Sequence, residues 1–168
     1  MAWVRFSRIL YEAGLAGIPE QKLAIKMEID TKPPAGAQYG TQIVNRHMIF
    51  VVRHHDLPSL LAGKIHALTT RRYAKGRDWY DLLWYGTLRP PVQPNLTLLQ
   101  NALIQTEGVR AYPAAEWVAQ VRILAGAVRM ASLAKEVRTS LERPQDATLL
   151  TRDNFLSLLE RWGETASA

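Results

Sequence analysis

Hydrophobic and polar residues alternate in the first third of the chain, and this alternation predicts strands. Between residues 22 and 30, apolar residues occupy the odd positions and charged residues most of the even ones, which predicts a strand with a charged face. The β-branched and aromatic residues between Thr41 and Arg53 predict a second strand. The consecutive prolines after Lys32 predict a turn between the two strands. A further alternation that begins at Trp3 predicts a short strand at the start of the chain.

The spacing of apolar residues becomes helical in the segment from Asp56 to Leu83, which predicts two helices joined by a basic loop. Asp56 is a suitable N-cap for the first helix, and Pro58 falls in its first turn. The apolar face of this helix is expected to contain Leu57, Leu61, Ile65 and Leu68. Lys64 and Arg71 lie on a different stripe of the same helix.

The second helix of this segment is predicted to follow Gly76, a residue that permits the chain to reverse direction. Asp78 is expected to cap this helix, with Asp81 one turn further in. The residues expected to be buried by this helix are Leu82, Leu83 and Trp84. Together with Lys64, the two helices therefore bring one lysine and two carboxylates to their adjoining ends.

The chain after Pro94 is predicted to be helical throughout. The expected helices run from Asn95 to about Gln105, from Ala114 or Ala115 to about Met130, from Ser132 to Leu141, and from a Thr151 cap through Trp162. Their apolar stripes predict a bundle that packs on the sheet and forms one wall of a cleft. These helices carry no evident chemistry of their own.

The length and composition of the chain indicate a globular protein with a hydrophobic core. It has 168 residues, of which 48% are hydrophobic, enough for one domain. Its apolar runs are short and interrupted by charge, and no secretory signal begins the sequence, so we expect a cytoplasmic protein without a membrane span. The absence of cysteine excludes disulfides and thiolate metal sites.

The formal net charge of +6 favours a phosphate-rich partner such as a nucleic acid. A surface of solvated lysine and arginine side chains gives the same charge, so composition alone does not choose between the two interpretations.

The predicted strand that ends near residue 30 carries the first candidate site. Lys26, Glu28 and Asp30 line up on one face over about 13 Å, and the two carboxylates could hold a divalent metal. A solvent-facing strand shows the same alternation.

The second candidate site comes from the helix pair. Lys64 could extend towards a triphosphate as a point charge, although a surface lysine is the commoner explanation of a single residue of this kind. Asp78 and Asp81 also suit a helix start. The pairing of Lys64 with Arg77-Asp78-x-x-Asp81 favours a functional site over a purely structural role. The loop between the helices supports this interpretation because it is basic, with Arg71, Arg72, Lys75 and Arg77.

Several common activities lack their motifs. His54, His55 and His66 have no Ser, Cys or acidic partner at the spacing of a hydrolytic triad. No glycine-rich phosphate loop is present, so an ordinary ATPase or dehydrogenase is excluded.

Three motifs in this order resemble the AbiEii-type nucleotidyltransferases, the toxins of bacterial abortive-infection and toxin–antitoxin systems that act in phage defence. These motifs are Lys26-Met-Glu-Ile-Asp30, Leu57-Pro-Ser-Leu-Leu-Ala-Gly-Lys64-Ile-His-Ala-Leu68 and Lys75-Gly-Arg-Asp78-Trp-Tyr-Asp81-Leu82. The resemblance covers residues 20–90 closely and the helical remainder loosely.

The resemblance implies an α+β fold, namely the C-terminal part of a polymerase-β-like nucleotidyltransferase with a short mixed sheet, followed by a helical bundle. Residues 1–90 would form the partial nucleotidyltransferase core, and residues 91–168 a helical region packed on it. The implied activity is Mg²⁺-dependent transfer of nucleotides from a nucleoside triphosphate to RNA such as tRNA, with a cognate antitoxin as a partner.

The resemblance also implies roles for individual residues. Glu28 and Asp30 would contribute to the metal site. Lys64, Asp78 and Asp81 would be the catalytic residues. The residues implied to bind the nucleotide or its phosphates are Lys64, Lys26, Arg71 and Arg77. In such transfers, the metal and the lysine offset phosphate charge while in-line geometry does most of the rest.

The chain departs from the family pattern at one point. The family's first motif, a Gly-Ser or Gly-Gly turn followed by Asp-x-Asp on a strand, is expected before Trp3 and is missing from this sequence. Three explanations are consistent with this departure: an N-terminal portion is lacking, the two aspartates come from another chain, or the frame persists without activity. In the last case the chain would be a non-catalytic basic module that binds RNA or an antitoxin.

Overall fold

The computed structural model describes residues 2–166, with side chains through residue 164. Residues 1, 167 and 168, which the predicted domain bounds include, lie outside the described residues. The chain forms two compact units, Met1–Pro33 and Pro34–Ala168. These units divide the chain at Pro33, whereas the predicted functional division lies between residues 90 and 91. The compact units do not test that functional division, which stays a prediction.

The first unit contains a two-stranded antiparallel sheet and a short helix. Strand β1 (Ala2–Phe6) pairs with β2 (Leu23–Met27), with Trp3 opposite Lys26. Helix α1 (Ile9–Glu12) lies between them in the sequence. The predicted strands at Trp3 and at residues 22–30 are therefore present, but β2 ends at Met27, so that Glu28 and Asp30 follow the strand and do not belong to it.

The second unit begins with a hairpin where one strand was predicted. Strand β3 (Tyr39–Asn45) pairs with β4 (Ile49–His55), and Ile43 lies opposite Val51. The prediction of a single strand from Thr41 to Arg53 is wrong because the chain turns at residues 46–48, after the polar Asn45. A three-residue connection of this kind is common in hairpins.

The predicted α+β class is confirmed, but the short mixed sheet is not what the structure contains. The described residues form two separate two-stranded antiparallel sheets, β1 with β2 and β3 with β4. In each sheet, the two paired strands follow one another in the sequence. Such strands can pair in antiparallel fashion without the long crossover connection that a parallel pair needs.

Two helices follow the β3–β4 hairpin. Helix α2 (Leu57–Thr70) begins as predicted, because Asp56 caps it by accepting a hydrogen bond from the backbone N–H of Ser59 at 2.9 Å. Helix α3 (Gly76–Thr87) begins earlier than predicted, with Lys75 at the N-cap position. Asp78 is therefore a first-turn residue of α3, and its predicted role as the cap is wrong.

Gly76 has a role different from the one predicted. A Cβ atom at this position would lie 2.3 Å from the carbonyl oxygen of Leu133, whereas its backbone does not have a positive φ. Glycine is therefore needed at the start of α3 because another helix packs closely against it, and the chain reverses in the preceding residues.

Four further helices complete the second unit, close to the predicted positions. They are α4 (Leu96–Glu107), α5 (Trp117–Ala127), α6 (Met130–Val137) and α7 (Arg152–Ala166), with 3₁₀ turns between α4 and α5 and between α6 and α7.

The hydrophobic core lies among the helices. Helix α2 packs against α3, α4 and α5, and α7 packs against α3 and α5. Trp79 packs edge-on against Phe155, and Trp117 against Trp162. Among the described residues, all buried apolar side chains belong to helices or to their connections, and none to a strand. The expected burial of Trp84 is wrong, because this side chain is exposed. The expectation that the bundle packs on the sheet stays a prediction.

Candidate functional site

Helices α2 and α3 form an antiparallel pair whose facing sides carry two cations and two carboxylates. Lys64 and Arg71 are seven residues apart on α2 and its C-cap, so they lie on one side, two turns apart. Asp78 and Asp81 are three residues apart and share a side of α3. The structure joins these residues into two ion pairs across the seam.

The first ion pair joins Lys64 to Asp81. The Lys64 Nζ atom lies 2.5 Å from Asp81 Oδ2, where it donates a hydrogen bond. About a third of each side chain is exposed, 34% for Lys64 and 30% for Asp81. The lysine predicted from its helix stripe thus lies at an accessible position beside a carboxylate, and an anion in solution can approach its ammonium group.

The second ion pair joins Arg71 to Asp78. The guanidinium of Arg71 donates a hydrogen bond to Asp78 Oδ2. The Asp78 side chain is only 5% exposed, and the guanidinium is the charged group that compensates its burial. Asp78 therefore faces α2 at the closed end of the helix pair, where it holds Arg71 in place.

The loop between the helices contributes further positive charge. Arg72, Lys75 and Arg77 are basic residues of this loop and of the first turn of α3, and Arg77 is exposed. The ammonium group of Lys75 lies over the ring of Tyr73, 5.5 Å from its centroid. A basic, partly aromatic surface thus surrounds the end of the helix pair.

The remaining predicted site residues belong to the first compact unit. Lys26 Nζ lies 2.5 Å from Glu28 Oε1, and this contact with the ammonium group lowers the pKa of the Glu28 carboxyl. Asp30 accepts a hydrogen bond at 2.9 Å from the backbone N–H of Lys32. Lys26, Glu28 and Asp30 therefore belong to the first compact unit. Lys64, Asp78 and Asp81 belong to the second.

The fit of these residues to a metal can be judged from their donor atoms. Mg²⁺ takes oxygen ligands in octahedral geometry, usually with at least one carboxylate free to bind it. In the described part of the chain, no three His, Asp or Glu residues come together in a way that could hold an ion. The candidate carboxylates are each occupied by a lysine, an arginine or a backbone N–H. These residues do not by themselves fit a magnesium site, and the metal role of Glu28 and Asp30 stays a prediction.

Sequence reasoning missed a cluster of side chains on the β3–β4 hairpin. The guanidinium of Arg53 lies 4.2 Å from the centroid of the Tyr39 ring, and the His55 ring lies 4.8 Å from it. Tyr39 precedes, and His55 follows, the segment from Thr41 to Arg53 that was predicted to be a single strand, which would have kept the two rings far apart. Only the hairpin register, with Tyr39 opposite His55, brings them together.

His66 was assigned no catalytic role from the sequence, and the contacts of this side chain connect two helices. Its Nε2 atom lies 2.8 Å from the hydroxyl oxygen of Thr106, which itself donates to the carbonyl of Ala102. Burial lowers the pKa of this imidazole below its usual value. His66 therefore links α2 to α4 as a neutral side chain.

Within residues 2–166, no helix combines sufficient length with sufficient apolar character to cross a bilayer.

Comparison with known proteins identifies the family. A family model described as "Nucleotidyl transferase AbiEii toxin, Type IV TA system" matches residues 4–161. Searches of curated proteins and of solved structures give no significant match. The matched range includes part of β1, all of β2, the β3–β4 hairpin, the α2–α3 pair and the helices that follow up to residue 161 of α7. Since it covers nearly the whole chain, the chain belongs to the AbiEii nucleotidyl transferase toxin family.

Proposed function

We propose that this chain transfers nucleotides from a nucleoside triphosphate to an RNA acceptor such as tRNA. The observation that carries the proposal is the accessible Lys64 beside Asp81, on the helix pair of a member of a nucleotidyl transferase toxin family. We place the reaction in the cytoplasm and expect a cognate antitoxin to counteract it.

Lys64 is the residue that we assign to the triphosphate. Its ammonium group is a compact charge on a flexible stem, which suits the binding of phosphate oxygens without bidentate geometry. Asp81 holds this group while no anion is bound, because the two atoms are within hydrogen-bonding distance. A triphosphate would compete with Asp81 for the same ammonium protons. Asp81 is therefore proposed as the residue that keeps Lys64 oriented along the seam.

Arg71 and Asp78 are proposed to maintain the geometry of the helix pair. The nearly buried Asp78 holds Arg71 at the closed end of the pair, and this fixes the distance between α2 and α3 near Lys64. Arg77, which is exposed on the first turn of α3, remains available for phosphate contacts.

The RNA acceptor is supported by charge. A net charge of +6 attracts a polyanion, and the loop cations Arg72, Lys75 and Arg77 concentrate part of it next to Lys64. A nucleotide-binding lysine and an RNA-binding surface would thus be adjacent on the same helix pair.

The proposal is tested by incubating the full chain with Mg²⁺, each labelled nucleoside triphosphate and bulk tRNA, and measuring label in RNA. We expect Lys64→Ala to lower incorporation by about 100-fold, because a charged donor near transferring phosphates typically contributes that much. Lys135→Ala is the control, since Lys135 is an exposed lysine on α6. Far-UV circular dichroism verifies that both variants are folded. Equal incorporation by the Lys64→Ala variant and the wild type would overturn the assignment.

A second function is favoured by the carboxylates. No Asp-x-Asp occurs in this sequence, and the candidate carboxylates are already paired. A non-catalytic basic module that binds RNA or a cognate antitoxin would show salt-dependent RNA binding and no incorporation. The same assay, with a filter-binding measurement at two salt concentrations, separates the two functions.

A further inference from the structure

The β3–β4 hairpin has one face that the proposed function does not use. Residues opposite each other in an antiparallel pair point to the same face, and the register joins odd-numbered residues to odd-numbered residues. This hairpin face, as we name it, consists of Tyr39, Thr41, Ile43, Asn45, Ile49, Val51, Arg53 and His55.

The hairpin face exposes aliphatic side chains that a strand normally covers. The exposed fractions are 68% for Ile43, 72% for Ile49 and 66% for Val51. Ile43 lies directly opposite Val51, and Ile49 lies on the diagonal from Ile43, so the three side chains form one strip. Contiguous apolar surface of this kind commonly marks a binding site.

One end of this strip carries an aromatic and cationic cluster. Arg53 stacks over the Tyr39 ring at 4.2 Å, and the His55 ring lies 4.8 Å from the same ring. The cation holds the tyrosine ring in place, and the ring remains half exposed. The cluster therefore offers a flat surface together with a fixed positive charge.

The charge of the hairpin selects among partners. Residues 39–55 contain Arg46, Arg53 and three histidines, but neither aspartate nor glutamate. A second copy of the chain would bring like charges together on this face, which costs free energy. A polyanion is attracted instead, and unpaired bases can stack on aromatic rings and contact aliphatic side chains.

We propose that the hairpin face binds single-stranded RNA, with bases on Tyr39 and the aliphatic strip and a phosphate on Arg53. This inference rests on the proposed function, because it takes RNA as the substrate class, and it assigns the unpaired part of the acceptor to β3 and β4. The bases of a duplex are already stacked on one another, so a duplex gains less from this face.

The test measures the affinity of the full chain for a labelled oligouridylate of about 16 nucleotides by fluorescence anisotropy. Tyr39→Thr removes the ring but keeps strand propensity, and is expected to weaken binding about 10-fold, the effect typical of one lost stacking contact. Arg53→Gln is expected to weaken binding about fivefold and to lower the salt slope by about 0.7. Arg110→Gln is the control, because it removes one charge from an exposed residue in the turn Gly108–Arg110.

Two further measurements locate the RNA and examine other occupants. Photo-crosslinking followed by peptide mass spectrometry is expected to find RNA attached within residues 39–55. Sedimentation velocity compares the wild type with the Ile43→Thr/Val51→Thr variant, in which both side chains stay β-branched. We expect both proteins to sediment as monomers. In the anisotropy assay, we expect the double variant to bind RNA about fivefold more weakly than the wild type.

Four results would overturn the inference. The first is that Tyr39→Thr and Arg53→Gln bind RNA within twofold of the Arg110→Gln control, and the second is that the crosslinks lie outside the hairpin. The third is a wild-type dimer that the double variant abolishes. The fourth is that a labelled RNA duplex, measured by the same anisotropy assay, binds as tightly as the single strand.

Failure of this inference is distinguishable from failure of the proposed function. Hairpin-dependent RNA binding without nucleotide incorporation would refute the transfer and leave the inference in place. The opposite result is nucleotide incorporation, at tRNA concentrations below saturation, that depends on Lys64 but not on Tyr39 or Arg53. It would support the transfer and refute the inference about the hairpin face.

Discussion

Arg71, at the C-terminal end of α2, donates a hydrogen bond to the carboxylate of Asp78, which is almost fully buried in the first turn of α3. The relationship is asymmetric, because 38% of the arginine side chain remains exposed. Water can therefore compensate the loss of Asp78 at Arg71, whereas the loss of Arg71 leaves a buried negative charge.

This asymmetry predicts that Arg71→Ala destabilises the protein more than Asp78→Asn does. We expect the free energy of unfolding to fall by about 3 kcal/mol for Arg71→Ala and by about 1–2 kcal/mol for Asp78→Asn. Urea denaturation followed by tryptophan fluorescence measures both. Glu160→Ala is the control, since its ion pair with Arg122 is long, at 3.9 Å, and exposed, and it should change stability by less than about 1 kcal/mol. Equal losses for the two seam variants would contradict the asymmetry.

The close approach of Gly76 to α6 predicts opposite effects for two glycine substitutions. Gly76→Ala places a Cβ atom 2.3 Å from the Leu133 carbonyl oxygen, and should destabilise the protein by about 2–3 kcal/mol. Gly63→Ala, in the middle of α2, has no atom within 4 Å of the added Cβ and should stabilise it by about 0.5–1 kcal/mol. Thermal unfolding measures the two shifts. A stabilising Gly76→Ala substitution would show that the helix contact is looser than described.

Asn95 is predicted to contribute more than an ordinary helix cap. Its Oδ1 accepts from the backbone N–H of Leu98 at 3.0 Å, while its Nδ2 donates to the carbonyl of Gly36 at 2.8 Å and to the Ser59 hydroxyl at 3.2 Å. Asn95→Ala loses all three bonds and should cost about 2 kcal/mol, whereas Asn95→Asp keeps the cap and should cost about 1 kcal/mol.

The matched comparison for Asn95 is Thr151→Ala, which removes only a capping bond to the N–H of Asn154 and should cost about 1 kcal/mol. Chemical denaturation ranks the three variants. If Asn95→Asp were as damaging as Asn95→Ala, the Nδ2 bonds to Gly36 and Ser59 would account for the whole effect and the cap would contribute nothing.

The lowered pKa of His66 predicts that this residue makes stability depend on pH. Burial disfavours the imidazolium in the folded protein, so the unfolded chain binds the proton at a higher pH than the folded chain does. Stability is therefore fully present above the ordinary histidine value of 6.5 and falls as the pH drops below it.

His66→Gln keeps a hydrogen-bond donor for Thr106 but does not titrate. The difference in free energy of unfolding between wild type and His66→Gln, measured from about pH 8 to pH 5, should shrink or reverse as the pH falls. A difference that stays constant across this range would mean that His66 is not desolvated.

Helical features were predictable from sequence because they depend on local spacing and caps. Asp56, Asn95 and Thr151 occupy the predicted cap positions, and their helices begin where expected. The stripe of Lys64 and Arg71 also correctly indicated a side of α2 distinct from its apolar face.

Features that depend on distant contacts were not predictable. The role of Gly76 depends on Leu133, which is far along the chain. The hairpin turn after Asn45 interrupts a segment whose composition favours strand on both sides. Within the candidate site, residue types could be predicted from sequence, whereas ion-pair partners could not.

The two ion pairs along α2 and α3 have a consequence for the loop between them. Arg71–Asp78 restrains the loop at its base, and Lys64–Asp81 restrains the same two helices further along. The short connection that carries Arg72 and Lys75 is thus anchored at both ends before any ligand arrives. An anion that binds there gains its contacts without first ordering the backbone, so the loop is preorganised and the entropic cost of binding is correspondingly lower.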